Sequence, residues 1–251
     1  MRSYTSCVDV ATRRRAFVRV TGPDARAHLQ RLVSNDVDAL QVGDACPALL
    51  LTAKARVIAP VVVWRRGDED FLVLTEPELG ETVRSLLVRM RLRAACEIEP
   101  EEHESVLVFG GDVGFATDFP GAREALDAGL QPTVSDEQLE ARRVAAAVPR
   151  WGREIDDRVL PAEAGLEETH ISFSKGCYPG QEPVARLHYR GHANRALRVL
   201  RLAHVPPYDA ELVHDGKVVG RVTSAVPSDG GALALAYVRT EVPDDAELAL
   251  G

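Results

Sequence analysis

Apolar and polar residues alternate from Ala16 to Thr21 with the period of a half-buried strand. Gly22-Pro23-Asp24 then opens a helix whose Ala25, Leu29, Leu32 and Val33 share one face, ending near Ser34-Asn35-Asp36. Ala48–Leu51 and Val57–Arg65 read as strands on either side of a Thr52-Ala53-Lys54-Ala55-Arg56 turn, and Phe71–Thr75 as a further strand. From Pro77 a second helix places Leu79, Val83, Leu86, Leu87 and Met90 at helical spacing. Strands near Cys96–Glu99 and Ser105–Phe109 follow. This order predicts an α+β fold with helices packed on one face of an antiparallel sheet.

Residues 110–133 are rich in glycine and proline and read as a loop-rich excursion. Gly111-Asp112-Val113-Gly114 lacks the third glycine and the helix of a dinucleotide fingerprint, so it is read as a turn. Ser135-Asp136-Glu137-Gln138 is a capping box that predicts a helix to about Val148, stopped by Pro149. Trp151–Leu166 is irregular. From Leu197 the pattern becomes short alternating segments, Leu197–Leu202, Leu212–His214, Lys217–Val222 and Ala232–Tyr237, with Asp215-Gly216 as a two-residue hairpin turn. Such spacing suits a small barrel or sandwich, so the chain divides into residues 1–193 and 194–251.

One stretch has no such periodicity. Lys175-Gly176-Cys177-Tyr178-Pro179-Gly180-Gln181-Glu182-Pro183-Val184-Ala185-Arg186 gathers a thiol, a phenol, an amide, a carboxylate and two cations, in a segment that glycine and proline are expected to keep out of regular helix. It reads as a site. The net charge of −8 argues against broad binding of a phosphate backbone, so no direct nucleic-acid partner is expected. The longest apolar run, Val57–Trp64, is far short of the roughly 20 residues of a membrane span. A polar start without a signal-peptide core predicts a cytoplasmic protein. Cys7, Cys46, Cys96 and Cys177 stand far apart without a CxxC pair, which gives no metal or cluster signature.

Lys175, two residues before Cys177, would favour the reactive thiolate, but a small buried hydrophobe is an equally good reading from spacing alone. His188 and His192 have the i, i+4 spacing of a metal pair, but Gly191 lies between them and the HExxH glutamate is absent, so a surface role is preferred. His170 is read as a packing or hydrogen-bonding residue. Arg186, Arg190 and Arg195 are of the type that binds carboxylates, although a solvated role is the default for any one of them. Glu163, in Pro161-Ala162-Glu163-Ala164-Gly165, is either an exposed turn residue or the partner of a donor-rich ligand.

Lys175, Gly176, Cys177, Tyr178, Gly180, Gln181 and Glu182 match in full the KGCYxGQE hallmark of the YgfZ family. The chain resembles these folate-binding proteins, which are related to the aminomethyltransferase (T-protein) of the glycine cleavage system and to mitochondrial iron–sulfur assembly factors. Leu29–Asp36, Lys54–Val57, Leu160–Gly165, Val184–Arg186 with Asn194-Arg195, and Val219–Ser224 carry the resemblance along nearly the whole chain. It implies a ring-like α+β fold of ferredoxin-like subdomains with a small C-terminal β-barrel, around a cavity for tetrahydrofolate. It also implies a monomeric accessory factor for making or repairing iron–sulfur client proteins, with an indirect effect on tRNA modification in some members. Cys177 is then the reactive residue, Glu163, Lys175, Tyr178, Gln181, Glu182 and Arg186 are the candidate cofactor-binding residues, and no metal ligand is assigned.

Two departures bear on this. Ala55 stands where the family's turn has glycine, so a different turn shape is expected. Ala59 and Pro60 stand where the T-protein has two aspartates, one of them needed for aminomethyl transfer, whereas Glu163 matches its pterin-binding glutamate. A folate-dependent one-carbon transferase or demethylase is therefore the alternative reading, and a binding module with a merely packed Cys177 is the third.

Overall fold

The structure, a computed structural model, describes residues 8–251 and divides into two compact units. Cys7 lies outside the described residues. One unit comprises the chain up to Leu51 together with Ala59–Asp136 and Thr169–Pro179; the other comprises Thr52–Ile58, Glu137–Glu168 and Gly180–Gly251. Both are discontinuous in sequence, unlike the 1–193 and 194–251 division expected, because Thr52–Ile58 and Glu137–Glu168 group with the C-terminal strands.

In chain order the first unit contains β1 (Asp9–Thr12), β2 (Ala16–Thr21), α1 (Ala25–Leu32), β3 (Ala45–Leu51), β4 (Val57–Arg65, its first two residues grouped with the other unit) and β5 (Asp70–Thr75). A 3-10 turn at Pro77–Leu79 leads into α2 (Gly80–Met90), followed by β6 (Glu97–Glu101), β7 (Ser105–Phe109), β8 (Phe115–Ala116) and β9 (Ala122–Leu126). Two sheets result, ordered β3-β4-β5-β2-β6 and β1-β7-β9-β8. In the first, β2 pairs antiparallel with β5 (Val18 opposite Val73) and with β6 (Val20 opposite Ile98). Phe17, Val62, Leu72, Leu74 and Phe115 form one buried cluster of this unit, which supplies the area-dependent hydrophobic stabilisation. The buried His28 ring Nε2 lies 3.1 Å from the Leu87 carbonyl oxygen and ties α1 to α2.

An ionic knot closes the unit. The Arg15 guanidinium, 1% exposed, donates to Asp118 Oδ1 at 2.6 Å and to both Glu124 oxygens at 3.0 and 3.1 Å. Ser105 and Thr117 hydroxyls donate to the same Glu124 carboxylate at 2.8 and 2.7 Å, so its burial is fully compensated by hydrogen bonds.

The second unit contains α3 (Asp136–Ala145, its first residue grouped with the other unit), the single turn α4 (Glu167–His170, its last two residues grouped with the other unit), α5 (Gln181–Arg190) and strands β10 (Arg195–Leu202), β11 (Glu211–His214), β12 (Lys217–Ser228), β13 (Gly231–Arg239) and β14 (Ala249–Leu250). The five strands form one sheet ordered β10-β13-β12-β11-β14. It is open: β10 and β14 are its two edges, and no closed barrel is present among the described residues, which corrects the barrel that the resemblance implies; the alternating strands themselves were read as a barrel or a sandwich. The hairpin expectation holds, with His214 opposite Lys217 and both turn residues at positive φ, Asp215 at 50° and Gly216 at 73°. Arg143 on α3 reaches this sheet, donating to Ser224 Oγ at 2.7 Å and to Glu154 Oε2 at 3.0 Å, while Ser224 Oγ donates to Glu154 Oε1 at 2.7 Å.

Burial pushes the pKa of Asp118 and Glu124 up, but the charge of Arg15 outweighs it and holds both carboxyl groups below their ordinary 3.8 and 4.5. Their contribution to stability is therefore complete above about pH 5 and erodes as pH falls through the ordinary range toward the depressed folded values. Arg15→Met, which strands two buried carboxylates, should lower unfolding free energy at pH 7 by about 3–5 kcal/mol. Urea denaturation from pH 7 down to pH ~3 should show this gap narrowing as the carboxylates protonate.

Candidate functional site

Residues 175–186 divide between the two units at Pro179/Gly180. In the first unit the segment starting at Thr169 is stitched to the loop that follows α1. Ser34, fully buried, donates from Oγ to the His170 carbonyl at 2.6 Å, accepts the Leu49 N–H at 2.8 Å, and its carbonyl accepts the Ser172 N–H at 3.0 Å. The Asn35 amide donates to Pro47 O at 2.7 Å and Thr169 O at 3.1 Å. His170 is buried and hydrogen-bonded to the Thr169 hydroxyl at 2.7 Å, and burial pulls its pKa down to about 4. The imidazole is neutral at physiological pH, in keeping with the packing role read from sequence.

Lys175 carries the join. Its ammonium donates to Gln30 O, Val33 O and Asn35 O, each at 2.7 Å, which spends all three N–H bonds on the carbonyls at the C-terminal end of α1. A cation there also meets the negative end of the helix dipole. Burial draws its pKa down to about 8, so the group stays protonated at neutral pH. Tyr178, buried, sets its ring 5.5 Å from the same ammonium. Between them Cys177 is exposed, whereas Cys96 is buried and Cys46 partly so. Burial raises the Cys96 pKa and pushes the Cys46 thiol up to about 12. Cys177 is thus the one exposed thiol among the described residues, and the reading of it as a packed hydrophobe falls.

The second half of the motif is α5, and here the expectation of a non-helical segment is corrected. Gly180 is the N-cap, in the left-handed region at φ 83°, and Pro183 falls in the first turn, where an amide N–H has no intrahelical partner to lose. Gln181 and the exposed Glu182 open the helix, and Gly191 closes it, its N–H donating to Leu187 O at 3.0 Å. His192 lies beyond the helix end, so the i, i+4 histidine pair does not share a helical face; His188 Nδ1 sits 3.6 Å from Glu167 Oε2 instead.

One side of α5 walls a cavity of about 420 Å³ in the second unit, with Pro183, Val184 and Leu187 opposite Leu160 and Pro161 as its apolar wall. Lys54, Arg56, Arg186 and Arg190 bring cations to it, and Glu167 one carboxylate. Arg56 donates to the Arg158 carbonyl; Lys54, Arg186 and Arg190 are not ion-paired among the described residues. Lys54, Arg56 and Glu167 were not singled out as site residues from sequence; Lys54 and Arg56 figured only in a stretch that carries the family resemblance. Ala55, also in the wall, sits at φ 60°, in the left-handed region that glycine adopts more readily.

Glu163 is outside that wall but one residue from it. Its carboxylate accepts Arg195 Nε at 3.2 Å and Nη2 at 3.3 Å, and the Leu160 N–H at 3.0 Å. The Arg195 guanidinium lies 4.4 Å from the Tyr237 ring centroid. Ala59 is fully buried in β4, beside Pro60, whose carbonyl accepts the Thr75 hydroxyl at 2.8 Å; neither position offers an acid. Among the described residues no group of three or more His, Cys, Asp or Glu is placed to hold a metal ion, and no helix is long and apolar enough to cross a membrane.

Residues 1–108 match the GCVT N-terminal domain. The crystal structure of glycine cleavage system aminomethyltransferase T from Bartonella henselae superposes with a TM-score of 0.82 over 97% of this chain and 81% of that one, at 16% identity, which establishes a common fold of mixed helix and sheet. The chain is further related in sequence to proteins named for iron–sulfur assembly and tRNA modification. It is 26% identical over 287 aligned positions to an IBA57 homologue, an iron–sulfur cluster assembly factor of Pyricularia oryzae, covering 95% of this chain and 73% of that one. It is 30% identical over 129 positions to the tRNA-modifying protein YgfZ of Aliivibrio fischeri, covering 48% of this chain and 41% of that one. Against three curated aminomethyltransferases it spans about half of their length. Residues 1–108 are therefore similar to the GCVT N-terminal domain, and the chain is similar in sequence to proteins named YgfZ, IBA57 homologue and aminomethyltransferase.

Replacing Lys175 by Met should leave the α1 carbonyls without their donor and cost about 2–4 kcal/mol, with Lys175→Arg failing to restore it because a planar fork does not match three converging acceptors. Chemical denaturation of both variants, with amide exchange at Ser172 and Leu49, measures it.

Proposed function

We propose that this protein binds tetrahydrofolate and supports the assembly or repair of iron–sulfur proteins, acting as a cytoplasmic monomer through Cys177. The observation that carries the folate reading is the cavity of about 420 Å³, whose apolar wall adjoins three cations with no carboxylate of their own. Its volume falls in the range of small-ligand pockets, and its chemistry suits a flat ring system joined to an anionic tail. Arg186 and Arg190 would hold the tail carboxylates, and Glu163 would accept from the pterin N3–H and 2-amino group. Lys175, whose donors are spent, is a positioning residue rather than a ligand contact, and Tyr178 shares that task. Gln181 and Glu182 start the helix that carries Arg186.

The iron–sulfur part rests on relatives of that name and on the exposed thiol of Cys177. An effect on tRNA modification would follow indirectly, through an iron–sulfur enzyme. One-carbon transfer by this chain is disfavoured by Ala59 and Pro60, which supply no carboxylate.

Calorimetric titration with tetrahydrofolate tests the cofactor. The parent should bind in the micromolar range, Arg186→Gln with Arg190→Gln should weaken binding by about tenfold or more, and Glu163→Ala should also weaken it. A parent that does not bind ends the folate reading; equal binding by Glu163→Ala removes only that residue. In a deletion strain, Cys177→Ala should bind folate normally and fail to restore iron–sulfur enzyme activity, and full restoration would sink the role of the thiol. Turnover of a methylamine-type substrate with tetrahydrofolate would favour the transferase.

A further inference from the structure

Helix α2 ends in a conformation that its sequence makes costly. Arg91 is the C-cap, its N–H reaching Val88 O at 3.2 Å, and Leu92 follows in the left-handed region at φ 50°. Glycine or asparagine ordinarily takes this position, because a larger side chain crowds its own backbone there. Leu92 is also 80% exposed, so it does not make the apolar contact that commonly accompanies such a cap. A leucine both conformationally strained and left in water is unfavourable twice over within its own chain. Such an outlier points to something outside it.

Beside Leu92 runs an open groove of about 800 Å³ between α1, which contributes Ala27 and Arg31, and the turn from Arg91 to Ala94. The Arg31 side chain donates to Ala27 O and that of Arg91 to Cys96 O, while that of Arg93 makes no hydrogen bond among the described residues. None of the three arginines is ion-paired among the described residues. The acid of the groove, Asp24, spends Oδ2 on the Ala95 N–H at 2.7 Å. On a chain of net charge −8 this is a local surplus of cations around an aliphatic tip. The charge calls for carboxylates or phosphates. The aliphatic tip, with no aromatic ring in the groove to stack on bases, favours a polypeptide over a nucleic acid.

We propose that this groove docks an acidic amphipathic segment of a partner protein, with Arg31, Arg91 and Arg93 meeting its carboxylates and Leu92 entering its apolar face. Leu92 then resembles the buried anchors of protein interfaces, and the arginines supply steering and register. The proposal does not depend on the folate reading.

The probe is a fluorescein-labelled peptide of about 18 residues with leucines at i, i+3, i+4 and i+7 on a glutamate background, read by anisotropy at physiological salt. A shuffled peptide of equal composition and a purified tRNA serve as competitors. The expected results are binding of the amphipathic peptide at least ~10-fold tighter than the shuffled one, and a loss of ~10-fold or more in Arg91→Glu with Arg93→Glu. Leu92→Gly should weaken the peptide several-fold and yet raise Tm by about 2 °C, because the left-handed strain is relieved. That opposition separates docking from a structural role. No binding by the parent, equal binding of the shuffled peptide, unchanged binding by Leu92→Gly, a lowered Tm in that variant, or tRNA displacing the peptide at lower concentration would each overturn the proposal.

Discussion

One ammonium ion and three carbonyl oxygens fix the first half of the site. An α-helix ends with carbonyls that lack intrahelical donors, and α1 gives its own, with those of the following loop, to Lys175 from a segment about 140 residues further along the chain. A lysine suits this junction because a compact ammonium has three donors that can diverge to three acceptors, whereas a guanidinium offers its donors in one plane. The consequence for chemistry is indirect. With Lys175 turned inward and Tyr178 buried against it, Cys177, between them in sequence, is left at the surface. The lysine that sequence proximity suggested as an activator of the thiol is therefore the residue that holds its backbone.

Two further clusters in the interior are paired in the same way, although His28 Nδ1, Arg13 Nε and Arg66 Nε are buried without a partner among the described residues. Arg15 with Asp118 and Glu124 in one unit, and Arg143 with Glu154 and Ser224 in the other, are buried charges whose hydrogen-bonding capacity is taken up by side-chain hydroxyls and opposite charges. Against this background two groups of cations without an ion pair each share one place, while Arg14, Arg89, Arg201 and Lys217 are unpaired elsewhere among the described residues. Lys54, Arg186 and Arg190 surround one cavity, and Arg31, Arg91 and Arg93 one groove.

Much of this was legible in the sequence, and what was not has definite causes. β2, β4 and β7 have the ends read from the sequence, β2 from its period-two alternation and β4 from a continuous apolar run that is buried on both faces. The Asp215-Gly216 hairpin followed from turn chemistry alone. Helix α5 was missed because Gly180 and Pro183 were weighed as breakers, when a left-handed glycine at the cap and a proline in the first turn are features of a helix start. Sheet closure was misjudged for another reason: strand spacing reports local extended structure, but whether β10 meets β14 depends on pairing across the whole C-terminal region. At the site, the motif residues were visible as a cluster, whereas the cavity-lining role of Lys54 and Arg56 depends on a turn far away in sequence and had no local signal.

Glu163 shows how far a residue's chemistry is set by its neighbours. The sequence offered two fates, exposure in a turn or pairing with a ligand, and the structure holds a third in which Arg195 and the Leu160 amide occupy the carboxylate. A carboxylate has room for about four hydrogen bonds, and three are filled, so a pterin offering two parallel donors would compete with the guanidinium rather than add to it. Arg195 is 41% exposed at its side chain and rests on Tyr237, so the pair is only partly desolvated and its net worth is about 1 kcal/mol or less. That is a small barrier for a ligand that also buries a ring system. On the folate reading the pair then keeps the carboxylate oriented until displaced, a role that neither residue's own surroundings in the sequence describe.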